Sequence, residues 1–329
     1  MSIPGTIGVI GGGAWGTALA QTAAASGPVM LWARSAGVVD AINATHANPA
    51  YLPGIALSPT IRATSDLAAL SGCEALLVVT PAQHMRAVLA ALPPSAQPLL
   101  LCCKGIEVGT RLLMSEVAAA ARPGAPIAVL SGPTFAHEVA AGLPTAVTLA
   151  CADPSLGAML AARLARPAFR PYRSDDVLGA EIGGAVKNVL AIACGVVAGA
   201  GLGQNAGAAL IARGFAEMTR FGLARGARAE TLAGLSGLGD LVLTCSSASS
   251  RNYSLGIGLG RGEAARDLLA GRRTVAEGAS TAPVLAEAAL ACGTDMPITQ
   301  AVCDLLAGRA AVGVVVERLL ARPLASEIR

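Results

Sequence analysis

Lysine is nearly absent from this chain. Of 24 basic residues, 22 are arginine and only Lys104 and Lys187 are lysine. Aromatics make up 3% and there are three histidines (His46, His84, His137), none at metal-ligand spacing from another. No dense basic block occurs and the net charge is +3, which argues against a nucleic-acid partner. None of the eight cysteines forms a C-x-x-C pair, and nearly all sit in apolar runs. They read as reduced, buried cytosolic thiols, not as a disulfide framework or a zinc site, and no metal is expected. The longest apolar run, Val189 to Gly203, contains Gly195, Gly199 and Gly201 and falls short of the ~20 residues a spanning helix needs, so it reads as a buried helix. The start, Met1-Ser2-Ile3-Pro4-Gly5, lacks a basic leader, so no signal peptide is expected and the cytoplasm is the expected location.

What is present is apolar. Hydrophobic residues reach 53% against 14% charged, which excludes a disordered chain, and 329 residues suggest two domains. The first half alternates short Val/Ile/Leu strands (Thr6–Gly11, Val29–Ala33, Ala75–Thr80, Pro98–Cys103, Ile127–Ser131, Ala146–Ala150) with helical stretches such as Trp15–Ser26 and Ala82–Ala91. Near-continuous apolar strands are covered on both faces, which predicts a parallel, doubly wound α/β sheet of Rossmann type. From about Ser174 the strand signal stops, and Ala180–Ala200, Ala206–Arg225, Ala229–Leu235, Thr281–Ala291, Thr299–Leu306 and Val314–Leu320 read as helices. The expectation is a dinucleotide-binding domain over residues 1–175 and an all-helical domain over 176–329. Its Ala/Gly-rich helices would suit a homodimer.

The segment from Thr6 to Gly16 runs strand, G-x-G-x-x-G, helix. Gly11 permits a tight turn, Gly13 lets the backbone approach a pyrophosphate, and Gly16 lets the helix lie close on the strand. The N–H groups of Ala14 and Trp15 at the helix start then face the phosphates. An acidic residue at the end of the second strand would bind the ribose hydroxyl of NAD; this chain has Arg34-Ser35 instead. Arginine there can pair with a 2′-phosphate, so NADPH is expected in preference to NADH.

Arginine holds its proton at any working pH, whereas a lysine in a low-dielectric cleft can exchange one. Lys104 follows a strand in Cys102-Cys103-Lys104-Gly105, and Lys187 interrupts an apolar helix. A charge there needs a partner or a task. Hydride transfer to a carbonyl needs such a proton donor at the oxygen, which makes the two lysines candidate catalytic residues.

Several separated motifs agree with one known family: Gly11-Gly12-Gly13-Ala14-Trp15-Gly16, Lys104-Gly105, Ser131-Gly132-Pro133-Thr134-Phe135-Ala136, Val186-Lys187-Asn188-Val189, Gly237-Leu238-Gly239-Asp240-Leu241 with Thr244, Ser250-Arg251-Asn252, and Glu277-Gly278. The chain resembles the bacterial NAD(P)-dependent glycerol-3-phosphate dehydrogenases over nearly its whole length. The resemblance implies reversible reduction of dihydroxyacetone phosphate to sn-glycerol 3-phosphate, feeding phospholipid synthesis. It implies Lys187 as proton donor and acceptor, Lys104 as a substrate and cofactor contact that polarises the carbonyl, and Asp240 and Thr244 as groups that orient Lys187 or hold the hydroxyls. It further implies that Ser250, Arg251 and Asn252 bind the substrate phosphate and that Gly132 and Thr134 line the substrate. Ala136, Arg251, Val275 and Glu277 would contact the cofactor. Ala14 stands where many members carry serine, so one side-chain bond to a cofactor phosphate is missing. On the sequence alone, a two-domain β-hydroxyacid or ketopantoate-type reductase, or a non-catalytic dinucleotide sensor, stays open as an alternative.

Overall fold

The computed structural model describes residues 5–270 and 276–323. β1 (Ile7–Ile10), α1 (Ala14–Ala24), β2 (Val29–Trp32) and α2 (Ala36–Thr45) open the first half. A small hairpin of β3 (Ala47–Asn48) and β4 (Leu52–Ala56) follows, then β5 (Ile61–Thr64), β6 (Ala75–Val78), α3 (Met85–Ala90), β7 (Leu99–Leu101) and α4 (Met114–Ala121). β8 (Ile127–Ser131), α5 (Ala136–Ala140), β9 (Thr145–Cys151), α6 (Pro154–Leu164) and β10 (Phe169–Ser174) complete it. Eight of these strands form one sheet in the order β10-β9-β8-β7-β6-β1-β2-β5. β1 pairs in parallel with β2 (Ile7 opposite Val29) and with β6 (Ile7 opposite Ala75), so the strand order reverses beside β1. In a doubly wound sheet that reversal opens a crevice at the carboxyl ends of the strands, where ligands bind. Apolar clusters cover both faces of the sheet, and a third fills the helical half.

The expected all-parallel sheet needs one correction. β9 runs antiparallel to β8, with Val129 opposite Ala150, and β10 runs parallel to β9. The loop after β8 and the short α5 keep the chain at the carboxyl end of the sheet, where α5 packs on α1, so β9 re-enters from that end. β10 gives no apolar run because it is an edge strand. Its Arg170, Pro171 and Arg173 protect the edge from pairing with another chain.

The second half is helical: α7 (Val177–Gly199), α8 (Gln204–Ala224), α9 (Ala229–Leu232), α10 (Asp240–Cys245), α11 (Arg251–Gly260), α12 (Ala265–Leu269), α13 (Glu277–Ala291), α14 (Pro297–Leu306) and α15 (Val312–Leu320). α7 is long and apolar enough to cross a membrane, yet 83% of its most apolar window is buried inside the fold. It is the central helix, packed by α8, α10, α11, α13 and α14. Glycine makes this crowding possible. A Cβ on Gly195 would lie 2.1 Å from the Tyr253 carbonyl oxygen, and one on Gly256 would lie 2.1 Å from that of Ile192. α7 and α11 therefore meet backbone to backbone.

The abundant arginines have structural tasks. Arg122 donates to the carbonyls of Leu92, Pro93 and Ser95. Arg163 and Arg166 donate to Ser26 and Thr22 at the end of α1. A guanidinium fork suits such multiple carbonyl contacts better than an ammonium does.

Candidate active site

The glycine turn closes on β1. Gly11 has φ +131°, and a Cβ there would lie 2.7 Å from the Val79 carbonyl oxygen; one on Gly16 would lie 1.8 Å from that of Gly11. Gly13 is different, because nothing lies within 4 Å of where its Cβ would stand. It N-caps α1 with no side-chain cap and no acidic residue in the first turn. The start of α1, with Ala14 and Trp15 as its first residues, thus offers N–H groups and a positive dipole end to open space, which fits a dinucleotide pyrophosphate. Arg34 follows β2 and is exposed, and Ser35 N-caps α2 without using its side chain.

Both lysines of the chain converge on one carboxylate. Lys104 Nζ donates to Asp240 Oδ2 at 2.5 Å, and Lys187 Nζ donates to Asp240 Oδ1 at 2.6 Å. Lys187 also donates to Thr244 Oγ1 at 2.9 Å, and Lys104 to the Gly132 carbonyl at 3.2 Å. An ammonium has three N–H bonds. Two on each lysine are committed to protein, which leaves one on each for a substrate oxygen. Two ammoniums against one carboxylate leave a net positive charge in the cleft. The Asp240 side chain is fully buried, while the Lys104 and Lys187 side chains are 16% and 8% exposed.

The local sequence explains the convergence. Gly183 stands one turn before Lys187 on α7, and a Cβ there would lie 2.4 Å from the Ser236 carbonyl oxygen. The π-helical turn Leu235–Gly239 therefore rests on α7 and delivers Asp240 as the first residue of α10. Thr244, four residues on, shares that face of α10 and donates to the Asp240 carbonyl at 2.6 Å. Asp240 is not a helix cap, since Gly239 is the N-cap of α10 and both Asp240 oxygens face the lysines. Burial pushes the Lys187 ammonium down from 10.5 to about 8; Asp240 pulls it up and the nearby Lys104 charge pushes it down further.

Ser250 N-caps α11, its hydroxyl accepting from the Tyr253 N–H at 3.2 Å. Arg251 is the first residue of α11, and burial lowers its guanidinium against the pull of Glu277. Asn252 is buried and ties three helices: its Nδ2 donates to Asn188 Oδ1 and its Oδ1 accepts the Gly278 N–H, both at 3.0 Å. Glu277 opens α13 and reaches the other half of the molecule, where Oε1 accepts the Ala82 N–H at 3.2 Å. Burial raises its carboxyl, opposed by that N–H and by Arg251. Glu277 Oε2 and Thr281 Oγ1 are buried with no partner among the described residues, and both lie beside Gly105. Thr80 Oγ1 and Ser131 Oγ share that state. Orphaned polar atoms gathered about the carboxyl ends of β6, β7 and β8 fit a ligand with its own donors and acceptors. Gly132 and Thr134 follow β8, with Thr134 Oγ1 donating to the Gly132 carbonyl at 3.3 Å, and Ala136 starts α5. Val275 lies outside the described residues. Thr80 and Thr281 carry no sequence signal of their own and only packing places them, while Asn188 and Ser131 stand in the motifs without a role read for them.

The family model for the N-terminus of NAD-dependent glycerol-3-phosphate dehydrogenase matches residues 6–157, and the model for its C-terminus matches residues 176–317. The chain belongs to the NAD-dependent glycerol-3-phosphate dehydrogenases. A glycerol-3-phosphate dehydrogenase [NAD(P)+] 1 of Sphingopyxis alaskensis is 65% identical over 97% of both chains. A glycerol-3-phosphate dehydrogenase [NAD(P)+] of Erythrobacter litoralis is 66% identical over 98% of this chain and 97% of its own. Among solved structures, the glycerol-3-phosphate dehydrogenase of Coxiella burnetii is 38% identical with a TM-score of 0.93, covering 97% of this chain and 100% of that one. A ketopantoate reductase from Ralstonia eutropha, 19% identical over 96% of this chain and 99% of its own with a TM-score of 0.62, shares the fold alone. Glycerol-3-phosphate dehydrogenases of this family are NAD(P)-dependent oxidoreductases, and the two-part architecture, a Rossmann-like sheet followed by helices, is theirs.

Proposed function

We propose that the chain catalyses reversible NAD(P)H-dependent reduction of dihydroxyacetone phosphate to sn-glycerol 3-phosphate, supplying glycerophospholipid synthesis. The observation that carries this reading is the convergence of both lysines on Asp240. Residues 1–175 form the dinucleotide half and residues 176–329 the substrate half. Gly11, Gly13, Ala14, Trp15 and Gly16 hold the pyrophosphate, Ala136 meets the nicotinamide end, and Lys104, Arg251, Glu277 and, outside the described residues, Val275 contact the cofactor. When bound, the reduced nicotinamide supplies the hydride.

Lys187 then gives a proton to the substrate oxygen through the N–H that neither Asp240 nor Thr244 takes. Its ammonium, at about 8, is matched to proton transfer near neutral pH. Lys104 directs its remaining N–H at the same oxygen and stabilises the charge that develops there. Asp240 holds both ammoniums in place, and Thr244 fixes Lys187. Arg251 pairs with the substrate phosphate at the start of α11, whose dipole adds to the attraction, and Ser250 and Asn252 complete that pocket. Gly132 and Thr134 line the substrate.

Arg34 favours NADPH over NADH, supported by the exposed guanidinium and the uncommitted Ser35 side chain at the start of α2. We place the enzyme in the cytoplasm as a homodimer; the partly exposed alanines of α8 suit a second copy, and light scattering tests this. The test of the activity is NADPH oxidation with dihydroxyacetone phosphate and, separately, with ketopantoate. Turnover of the first supports the proposal, and turnover of the second alone overturns it.

A further inference from the structure

The hairpin of β3 and β4 lies outside the machinery described so far, yet it grips the glycine turn. Asn48 is 1% exposed and sits on β3, where the pairing with β4 is irregular between Ala47 and Asn48. Its Nδ2 donates to the Gly12 carbonyl at 2.9 Å and to Thr17 Oγ1 at 2.8 Å. The Gly12 carbonyl can only accept, so the amide orientation is fixed. One side chain thus holds both the turn and the first turns of α1. A second tie lies one helical turn on, where Gln21 Oε1 accepts the Ser58 N–H at 2.8 Å.

A trans peptide is planar, and its C=O and N–H point in opposite directions. Holding the Gly12 oxygen against Asn48 therefore turns the Gly13 N–H the other way. On Gly13 a Cβ would meet nothing within 4 Å, so the backbone at Gly13 borders open space. Both residues of this peptide are glycine, so side-chain sterics do little to stop it rotating. A rotated peptide would aim a carbonyl oxygen at the phosphate site in place of an N–H.

We propose that Asn48 is a positioning residue for the dinucleotide, which locks the Gly12–Gly13 peptide with its N–H facing the pyrophosphate. It acts through the turn and not by touching the cofactor or substrate. The inference rests on the reading of the glycine turn as the dinucleotide site. Its effect belongs to cofactor affinity and not to the chemical step.

The test is the NADPH Kd, by fluorescence titration, of four variants of the full chain: Asn48→Ala, Asn48→Leu, Gln21→Ala and Gly13→Leu. Asn48→Leu keeps the branched shape of the side chain without its hydrogen bonds if the alanine variant does not fold. Either Asn48 variant is expected to raise Kd about tenfold, the loss of one net hydrogen bond. Their kcat at saturating NADPH and KM for dihydroxyacetone phosphate stay within about twofold. Gln21→Ala loosens the segment that leaves the same hairpin, at Ser58, and leaves Kd unchanged. A wild-type Kd in the folded Asn48 variants, or an equal rise in Gln21→Ala, overturns the proposal. Gly13→Leu fills the open space beside Gly13 and abolishes NADPH binding; if it does not, the glycine turn is not the dinucleotide site, and that reading fails along with the role of Asn48.

Discussion

Replacing Asp240 with asparagine removes the one negative charge between two ammoniums and keeps the shape. An asparagine offers one oxygen, so one lysine must face an NH2 group. Asp240 is fully buried, with lysine nitrogens at 2.5 and 2.6 Å. Removing one partner of such a buried pair costs about 3–5 kcal/mol. Total stability is of order 5–15 kcal/mol, so the variant folds but melts well below the wild type. The sharper effect is on Lys187. Asp240 is the main influence opposing the burial that lowers the Lys187 ammonium to about 8. Two unit charges 4 Å apart interact by about 4 kcal/mol at an effective dielectric of 20. Even a third of that moves a pKa by about one unit. With Lys187 as the proposed proton donor in the reduction direction, wild-type kcat should fall as pH rises through about 8. In Asp240→Asn the fall should begin at least about one unit lower, with kcat down about fivefold or more at pH 8. The assay is NADPH oxidation with dihydroxyacetone phosphate across pH 6 to 10, at saturating substrates. A variant whose descending limb stays at the wild-type pH, with kcat within about twofold, would refute the reasoning.

Three further outcomes follow from single groups. Arg251→Ala should raise KM for dihydroxyacetone phosphate about 10–100-fold with a much smaller change in kcat, as expected for a charge-assisted phosphate contact; an unchanged KM places the phosphate elsewhere. Arg34→Ala should raise KM for NADPH about tenfold and leave that for NADH alone, and parallel changes for both would remove Arg34 from phosphate recognition. Glu217 on α8 is buried and accepts the Ile298 and Thr299 N–H groups at the start of α14. Burial raises its carboxyl from 4.5 to about 7 against those N–H groups. The folded protein then holds this proton more tightly than the unfolded chain. Its stabilising share is full below pH 4.5 and is lost as pH rises through about 7, amounting to about 3 kcal/mol. Glu217→Gln should remove that share of the stability loss between pH 4.5 and 8 in urea titrations, while Glu181, also raised to about 7, keeps its own. A pH dependence identical to the wild type would contradict the assignment.

The legible parts of the sequence are those where one physical demand acts alone. β1, β6, β7 and β8 are buried on both faces and β2 is buried on one and half-buried on the other; all five read as plain apolar runs. The glycine turn is legible because each of Gly11, Gly13 and Gly16 meets a different steric demand. β10 is hidden, since an edge strand is built from arginine and proline. The reversal of β9 is hidden as well, because an apolar run carries no direction. Lys104 and Lys187 stand out by their rarity, but nothing in their spacing says that they meet. They are joined by Asp240, 136 and 53 residues away, through a π-helical turn laid on Gly183. Asp240 reads from its glycine neighbours as a tight-turn carboxylate, and only the packing of α7 turns it into the hub of the site. Asn48 gives no signal at all, since its role depends on a carbonyl 36 residues away.

Lys187 is assigned the proton transfer at the substrate oxygen and no part in holding the dinucleotide. Its most direct test is Lys187→Ala, with kcat for dihydroxyacetone phosphate reduction and the Kd for NADPH measured on one preparation. The expected kcat is lower by about 10²–10⁴-fold, with Kd within about twofold of wild type. Turnover close to wild type, or a loss of activity matched by an equal loss of NADPH affinity, would contradict it.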